Sequence, residues 1–451
     1  MNPIKSAYSL LPEAAPDSLL ANHKGWYVSR TEFLGQVHAL AERLPEGRPI
    51  INLCSDRYHF ALGLFASICR SSLSLLPNAL TQEMVSALHR QYPNLLCLTD
   101  RDESPFGLPC LPFTAASLES KPSERLPEIP SEQEIVCVFT SGSTGQPQPH
   151  FKRWGSLMIN VRAEAQRLWE AAGCSCSVLG TVPFQHMYGL ESTVLLPLFG
   201  GGMLGSERPF FPVDVASALE NQPKPRLLVS TPLHLRALVE SGIRLPELRL
   251  ILSATAPMPL DLATRIEATL KAPLVEIYGA TETGQIATRQ TTASEIWRTF
   301  DGIRLSRQGE TTLASGGHIE GQGALNDVVE LLDDTHFRLL GRSSDMVNIA
   351  GKRSSLAYLN HVLCQQPGVR DGVFCLPAPE VEKSRLAAFV VAPGVEARQI
   401  LQGLRAHIDP AFLPRPIVFL DELPRNETGK LTQRELARLI AEHLPDASSH
   451  A

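Results

Sequence analysis

The chain has 451 residues, of which 41 are Lys or Arg and 47 are Asp or Glu, so its formal net charge is −6. Proteins that recognise nucleic acid or anionic membranes through bulk charge usually carry a clustered positive excess, so this balance excludes such partners and favours small molecules or proteins. With 43% apolar and 20% charged residues, the composition is that of a globular protein, long enough for two to four domains at roughly 100–200 residues each.

The first region alternates between helical and strand-like segments. Residues 28–44 have apolar residues at helical spacing, with Ser29 as an N-cap and Glu32 three positions later, which predicts a capped helix. Short apolar segments bounded by turn residues predict strands, and helical patterns separate them: strands at 49–54, 72–77 and 94–100, helices at 58–69 and 81–90. This alternation predicts a mostly parallel sheet with helices on both faces.

The second region repeats the alternation after a linker or surface loop at 119–133. Strands are predicted at 134–139, 177–184, 226–231, 248–254 and 273–279, with the clearest intervening helix at 260–270. Near residue 330 the pattern changes to apolar and polar alternation with a turn at Asp334-Thr335, which predicts a β-hairpin. Residues 345–451 read as a separate α/β unit.

The cysteines and the N-terminal segment bear on the cellular compartment. The nine cysteines are odd in number, scattered and without C-x-x-C spacing, which favours reduced thiols over a disulfide or zinc role. The first residues contain one lysine and no sustained apolar stretch, so no secretory signal is expected. The longest apolar tract, 194–205, is interrupted by Pro197 and by three consecutive glycines and is too short to span a bilayer. We expect a cytoplasmic protein.

The most informative local motif is FTSGSTGQPQPH, residues 139–150, which follows a predicted strand. Glycines let the backbone approach a ligand closely, exposed amides bind anions, and hydroxyl groups add donors, so the motif predicts a phosphate site. For the motif taken alone, an ordinary polar strand-to-helix turn is the alternative. It is not a Walker loop, because Gly145 is followed by Gln146 where that motif requires lysine.

This loop resembles the ATP-phosphate loop of the adenylate-forming superfamily, T-S-G-[ST]-T-G-x-P-K-G, which includes acyl-CoA synthetases and aryl acid ligases. The resemblance extends over nearly the whole chain and implies a large N-terminal domain of mixed α/β subdomains, 1–343, and a small mobile C-terminal α/β domain, 344–451. It also implies that ATP phosphates bind at Thr140, Ser141, Gly142, Ser143, Thr144 and Gly145.

Two further motifs support the same family. YGATETG, residues 278–284, matches Y-G-x-T-E, which implies that Tyr278 and Gly279 lie at the adenine, Thr281 near the α-phosphate, and Glu282 on Mg²⁺. An oxygen ligand suits this hard cation. SATAPMP, residues 253–259, resembles the adenine loop S-G-A-x-P and implies nucleotide contacts by Ala254, Thr255 and Ala256, although a simple strand-end turn is the alternative.

The C-terminal motifs resemble the ribose site and the catalytic lysine of the family. Asp327 precedes Gly341-Arg342 by the family's spacing, which implies that Asp327 and Arg342 bind the ribose hydroxyls; a solvated hairpin charge is the alternative. LPRNETGKLTQREL, residues 423–436, implies that Lys430 is the mobile catalytic lysine. A lysine beside a glycine could by itself be a solvated cap, and it is the three upstream motifs that favour catalysis.

Three departures from the family pattern affect these assignments, and one of them is Leu325-Asn326, which replaces the usual T-G before Asp327. Gln148 and Pro149 replace the usual Lys-Gly of the phosphate loop, and we expect that Lys152 substitutes for the missing cation. Ser344 stands at the hinge position, where the family commonly has Asp or Lys. Gly351 follows in a segment that resembles the loop bordering the pantetheine tunnel.

The implied reaction joins a carboxylic acid to a thiol through an acyl-adenylate, with ATP and Mg²⁺ as cofactors. VPFQHMYGL, residues 182–190, matches the family's acyl gate and implies that His186, Tyr188 and Gly189 contact the acid. No aspartate occurs at 185 or 186, which disfavours an α-amino acid. A softer resemblance to compact ligases of bacterial aryl-polyene and xanthomonadin-type pathways favours an aromatic acid, delivered to an acyl carrier protein or CoA. A fatty acid, and a nucleotide-binding protein that has lost turnover, remain the alternatives.

Overall fold

The computed structural model describes residues 5–77, 80–101, 105–141, 147–309, 311–342, 346–349, 352–377, 385–405, 407–426, 429 and 431–444. The chain divides into two compact units, one comprising Met1–Arg304 and Ala314–Gly323, the other Leu305–Leu313 and Ala324–Ala451. The two units are distinguished by how compactly their residues pack together. This division does not test the predicted hinge at the 343/344 boundary, which stays a prediction.

The first unit contains helices and strands in alternation. The helices are α1 (Arg30–Arg43), α2 (Arg57–Cys69), α3 (Gln82–Gln91), α4 (Trp154–Ala172), α5 (Met187–Gly189), α6 (Leu196–Phe199), α7 (Pro212–Glu220), α8 (Pro232–Glu240) and α9 (Leu260–Leu270). The strands are β1 (Ala7–Ser9), β2 (Leu19–His23), β3 (Trp26–Ser29), β4 (Ile50–Asn52), β5 (Ser74–Leu76), β6 (Leu96–Thr99), β7 (Cys110–Pro112), β8 (Glu128–Pro130), β9 (Glu134–Ser141), β10 (Pro147–Arg153), β11 (Ser177–Gly180), β12 (Met203–Gly205), β13 (Arg226–Ser230), β14 (Leu250–Ser253), β15 (Leu274–Ala280), β16 (Gly284–Arg289) and β17 (Trp297–Thr299).

A first sheet has the strand order β10-β9-β5-β4-β6-β7. Strand β4 is parallel to both β5 and β6, and β5 is parallel to β9, which confirms the parallel arrangement predicted for this region. The capped helix is confirmed as well: the Ser29 side chain accepts from the Glu32 amide while Glu32 accepts from the Ser29 amide. Because these bonds satisfy amides that a helix start leaves unpaired, they fix where α1 begins.

A second sheet contains strands that follow β10 in sequence, together with the early strands β2 and β3. Its order is β17-β16-β15-β14-β13-β11-β12-β2-β3, and the five strands from β15 to β12 are mutually parallel. The predicted helix at 260–270 is confirmed as α9. The hairpin β2–β3 at the edge was not predicted, nor was the division of the strands into two sheets. Part of the predicted linker at 119–133 also differs, because β8 pairs with β1.

The remaining strands complete the described chain. Strands β18 (Ile303–Gln308), β19 (Thr311–Gly316) and β20 (Ile319–Ala324) form a small sheet. The predicted hairpin is confirmed as β21 (Asp327–Leu331) and β22 (His336–Arg342), with Asp333 accepting from the amides of Thr335 and His336 in the turn. The last elements are β23 (Met346–Ile349), β24 (Lys352–Ser355), α10 (Leu356–Cys364), β25 (Asp371–Cys375), β26 (Ala387–Val391), α11 (Ala397–Leu404), β27 (Ile417–Phe419) and α12 (Gln433–His443).

In the second unit, α10 and α11 contribute Leu359, Leu363 and Ile400 to an apolar core with Phe374 of β25. Among the described residues, no helix is long and apolar enough to cross a membrane.

A buried arginine joins α2 to the second sheet. Both terminal nitrogens of Arg57 donate to backbone carbonyls, one to Gly205 (2.7 Å) and Glu207 (2.6 Å), the other to Gly180 (2.8 Å). Burial lowers the pKa of Arg57 to about 9. The guanidinium suits this position because its planar fork can serve several carbonyls at once.

Replacing Arg57 should therefore destabilise the first unit. Arg57→Met leaves two buried carbonyls and one half-buried carbonyl without their donor, and we expect a loss of about 3–5 kcal/mol. At roughly 2–4 °C per kcal/mol, the Tm should fall by roughly 10 °C in differential scanning calorimetry. Arg90→Met on the exposed side of α3 is the matched control and should leave the Tm almost unchanged; equal effects of the two substitutions would contradict the assigned role.

Candidate active site

The carboxyl ends of the parallel strands in the second sheet bring three of the predicted segments of the first unit together. Strand β14 leads directly into the predicted adenine loop at Ala254, and β15 ends in the motif that begins with Tyr278. The Tyr188 hydroxyl donates toward the carbonyls of Ser230 (3.1 Å) and Leu252 (3.2 Å), which places the predicted acyl gate against the ends of β13 and β14. In open α/β sheets this edge is where ligands bind.

The turn between β15 and β16 presents Glu282 to solvent. Its base is a β-bulge at Tyr278/Gly279, where the strands approach so closely that a Cβ on Gly279 would lie 2.2 Å from the Gly284 carbonyl oxygen. Thr281 is half-buried, Thr283 is buried, and Glu282 between them is exposed. An exposed carboxylate fits Mg²⁺, which commonly binds through one or two carboxylates and takes its other ligands from water and substrate phosphates. We call residues 281–283 the acidic turn.

Two side chains hold the carbonyls of the acidic turn from beneath. The ammonium group of Lys152, on β10, donates to the Thr281 carbonyl, and His318 Nε2 donates to the Thr283 carbonyl at 2.7 Å. Burial lowers the pKa of His318 to about 4, so this imidazole is neutral. Burial also lowers the pKa of Lys152, against the opposing effects of Glu191, Glu282 and Glu320.

A buried polar cluster lies behind Lys152. The Asn160 amide donates to Glu191 at 2.5 Å, and the Ser192 hydroxyl donates to Glu164 at 2.6 Å. Burial raises the pKa of Glu164 to about 8. Burial, reinforced by Glu164, raises the pKa of Glu191 well above its usual range.

Sequence reasoning missed four residues that surround the turn and the cluster: Asn160, Glu164, Glu191 and His318. A signal existed for three of them. Asn160 and Glu164 lie one helical turn apart on α4, and Glu191 interrupts an otherwise apolar tract. A polar residue at an apolar position often marks a buried network, because it must find a hydrogen-bonding partner there. No comparable signal marked His318.

The predicted adenine side also assembles in the structure. The half-buried Tyr278 ring lies 5.6 Å from the Trp297 ring, and buried Glu276 accepts from the Met258 amide at 3.1 Å, which ties the 254–259 loop to β15. Within this loop Thr255 has φ 78°, a left-handed conformation that is strained for a β-branched residue. Such strain is concentrated at ligand sites, so its presence agrees with a binding role for Ala254, Thr255 and Ala256.

At the predicted acyl gate, two backbone segments approach each other closely. A Cβ on Gly189 would lie 2.0 Å from the Pro183 carbonyl oxygen, so only glycine fits there. His186 is half-buried and is the N-cap residue of α5, while Tyr188 is anchored through its hydroxyl. A π-helical turn, Leu190–Leu195, follows and carries Glu191 and Ser192 into the cluster described above.

In the second unit, the two predicted ribose residues are neighbours. Asp327 and Arg342 stand opposite each other in the register of β21 and β22. Near the predicted catalytic lysine, Arg425 forms a two-bond ion pair with Asp371 (2.7 and 2.8 Å) and donates to the Gly429 carbonyl at 3.1 Å. This anchors the backbone immediately before position 430.

Several predicted residues lie outside the described parts of the chain: Gly142, Ser143, Thr144, Gly145, Ser344, Gly351 and Lys430. For Thr140, Ser141 and Arg342 the structure describes the backbone alone. Their roles stay predictions.

A histidine and aspartate cluster elsewhere has the spacing of a metal site but a different role. His23, Asp56 and His59 place ligand atoms within 4.8 Å of one another. However, His59 Nε2 accepts from the Ala115 amide (3.1 Å), so its proton is on Nδ1, which donates to Asp100 (3.2 Å). With both ring nitrogens engaged, His59 has no lone pair for a metal ion, and the cluster instead holds Asp56 as the N-cap of α2.

Comparison with known proteins identifies similar sequences and structures. Residues 69–339 match the family model described as AMP-binding enzyme, and residues 359–430 match the AMP-binding enzyme C-terminal domain. A 4-coumarate–CoA ligase from Halorhodospira halophila is 32% identical over 316 residues, covering 66% of this chain and 74% of that protein.

Two solved structures share the fold. O-succinylbenzoate coenzyme A synthetase from Bacillus subtilis, in complex with ATP and magnesium ion, has a TM-score of 0.79 and 19% identity, covering 94% of this chain and 97% of that chain. ATP-bound MatB from Rhodopseudomonas palustris has a TM-score of 0.79 and 17% identity, covering 95% and 96%. At these identities they establish the fold alone. They confirm the predicted mixed α/β fold, with a large N-terminal and a smaller C-terminal domain.

The buried Glu164 predicts a dependence of stability on pH. Its pKa is about 8 in the folded chain and near 4.5 when unfolded, so over this window the folded state holds a proton that the unfolded state releases. Stability therefore falls as pH rises, by up to about 1.4 kcal/mol per pH unit. Glu164→Gln should remove this contribution, so the Tm of the variant relative to the native chain should increase steadily from pH 5 to pH 8.

Glu170→Gln, on the exposed side of the same helix, is the control for this measurement. Its Tm difference from the native chain should not vary with pH in scanning calorimetry. Glu191 keeps its own pH-dependent contribution to stability in both variants, so the Tm of each variant is still expected to vary with pH. A Tm difference for Glu164→Gln that is constant across the range would contradict the buried, protonated carboxyl.

Proposed function

The chain belongs to the AMP-binding enzyme family, and from this premise we propose that it is an ATP-dependent acid–thiol ligase. In the first step an oxygen of the acid attacks the α-phosphorus of ATP, giving an acyl-adenylate and pyrophosphate. In the second step a thiolate attacks the acyl carbonyl, giving a thioester and AMP. The observation that carries this proposal is the acidic turn, which presents an exposed carboxylate beside Tyr278 at the carboxyl ends of the parallel strands.

The residues of the first unit have complementary roles in nucleotide binding. The half-buried Tyr278 ring and the loop at Ala254, Thr255 and Ala256 hold the adenine, and Thr281 lies near the α-phosphate. The hydroxyls and amides of residues 140–145 bind the outer phosphates. Mg²⁺, when bound at Glu282, supplies positive charge to the phosphates. The donor set fits this ion, since it offers a carboxylate oxygen and leaves the other positions to the nucleotide.

The second unit supplies the remaining contacts. Asp327 and Arg342, opposite each other in their hairpin, bind the ribose hydroxyls. Lys430 stabilises the negative charge that develops as pyrophosphate leaves, and the ion pair of Arg425 with Asp371 supports the backbone from which it extends. Rotation about Ser344 then exchanges Lys430 for a thiol channel bordered by Gly351.

The acid is proposed to be aromatic and to bind beside His186, Tyr188 and Gly189. Both 4-coumarate and o-succinylbenzoate, the acids named for two of the compared proteins, contain a benzene ring. The resemblance to aryl-polyene-type ligases supports the same class, and a fatty acid is the alternative. CoA is the acceptor named for these two proteins; a phosphopantetheinyl carrier protein is the second candidate for this chain.

Substitution of Lys430 should separate the two half-reactions. We expect Lys430→Ala to slow acid-dependent pyrophosphate exchange by about 10²–10³, the usual effect of removing one preorganised donor. Thioester formation from synthetic acyl-adenylate should change far less, because pyrophosphate has already left. Arg434→Ala, at an exposed position of α12, removes a nearby cation as the matched control and should leave both rates almost unchanged. Equal losses in the two assays for Lys430→Ala would contradict its role.

A panel of acids and acceptors tests the reaction itself. Aromatic acids such as hydroxybenzoates and cinnamates should promote exchange of pyrophosphate into ATP more strongly than fatty acids. Mass spectrometry should then detect the thioester on CoA or on a phosphopantetheinylated carrier protein. Saturable ATP binding without pyrophosphate exchange for any acid would favour a nucleotide-binding protein without turnover. The departures from the family pattern at Gln148 and Ser344 are the reason for this alternative.

A further inference from the structure

The acidic turn is held along its whole length by side chains from distant segments. Lys152 donates to the carbonyl before Glu282, and His318 donates to the carbonyl after it. At the far end, a Cβ on Gly284 would lie 2.8 Å from His318 Nε2 and 2.9 Å from Asn160 Nδ2, so the backbone there rests directly on both side chains. With both flanking carbonyls bound from beneath, Glu282 is left on the outer side of the turn, where it is exposed.

The location of Lys152 suits support of the turn better than contact with phosphate. Its side chain is half-buried and its ammonium group lies against a backbone carbonyl. The ammonium group also lies in the electrostatic field of Glu191, a buried carboxyl that is itself held by Asn160. A charge that is partly removed from water needs compensation, and here the groups that act on it, Glu191, Glu282 and Glu320, are side chains of the protein.

We propose that Lys152 is a positioning residue, which fixes the acidic turn so that Glu282 is preorganised for Mg²⁺, and that it is not a direct ligand of the outer phosphates. The proposal rests on the proposed function, in which Glu282 binds the metal ion with the nucleotide. Residues that orient a metal ligand act on metal affinity, typically by about 10–100-fold. A cation that contacts phosphate would instead act on nucleotide affinity, with or without metal.

Metal binding and backbone protection can be measured without turnover. Mn²⁺, detected by electron paramagnetic resonance, should bind the complex of the full chain with α,β-methylene-ATP about tenfold more weakly in Lys152→Met. Affinity for the same analogue in EDTA, measured by calorimetry, should stay within about twofold of the native value, because the metal ligand is not engaged there. Hydrogen exchange followed by mass spectrometry should be faster in peptides that cover residues 280–285.

Three further variants make this experiment specific. Lys152→Arg keeps a donor at the same position and should recover most of the Mn²⁺ affinity. Lys152→Met combined with Glu191→Gln also removes the buried carboxyl that acts on Lys152, so it tests the proposal even if the single variant is poorly folded. Arg153→Met is the matched control, because the neighbouring Arg153 forms surface ion pairs with Glu132 (3.0 Å) and Glu320 (2.8 Å).

The outcomes distinguish this proposal from the proposed function. Weaker analogue binding in EDTA, with unchanged exchange in the turn, would show that Lys152 is a phosphate ligand and would overturn the positioning role. Unchanged Mn²⁺ affinity in both the single and the double variant would overturn it as well. An absence of acid-dependent pyrophosphate exchange in the native chain would instead reject the ligase, whatever the variants show.

Discussion

On a tight turn, the orientation of a carboxylate side chain toward solvent depends on which groups bind the backbone carbonyls on either side of it. In this chain those carbonyls are bound from the interior by Lys152 and His318, so the turn cannot invert without leaving two donors unpaired. That requirement accounts for much of the surrounding architecture. Lys152 is accompanied by Glu191, Glu191 is held by Asn160, and Asn160 in turn contacts the turn at Gly284. Strand pairing, helix position and side-chain charge therefore all contribute to holding the acidic turn, residues 281–283, in place.

The sequence predicted the elements whose signals are local. The capped helix α1, helix α9 and the hairpin of β21 with β22 were predicted because N-cap residues, apolar periodicity and turn residues act over a few positions. The hairpin β2–β3 was missed, and so was the assignment of strands to two sheets. Which strands pair is decided by packing between segments far apart in sequence, and periodicity does not record it.

The same distinction applies to the candidate site. Tyr278, Glu282 and Asp327 were predicted from motifs, in which the chemistry and the spacing are read together, and their roles stay predictions. Asn160 and His318 were not, because neither belongs to a motif and each acquires its role from a contact with residues far away in sequence. The departure at Gln148 had suggested that Lys152 replaces a phosphate-binding cation. Its hydrogen bond to Thr281 favours another role for the same residue, which sequence alone had no means to reveal.

The guanidinium of Arg57 has a mechanical consequence for the first unit. Its bonds run from the start of α2, a helix in the core beside the first sheet, to carbonyls at the ends of β11 and β12 in the second. A rigid planar fork with partners on two strands opposes sliding in more than one direction, which a single ammonium group could not do. The hydrogen bonds of Arg57 therefore oppose shear between α2 and the second sheet.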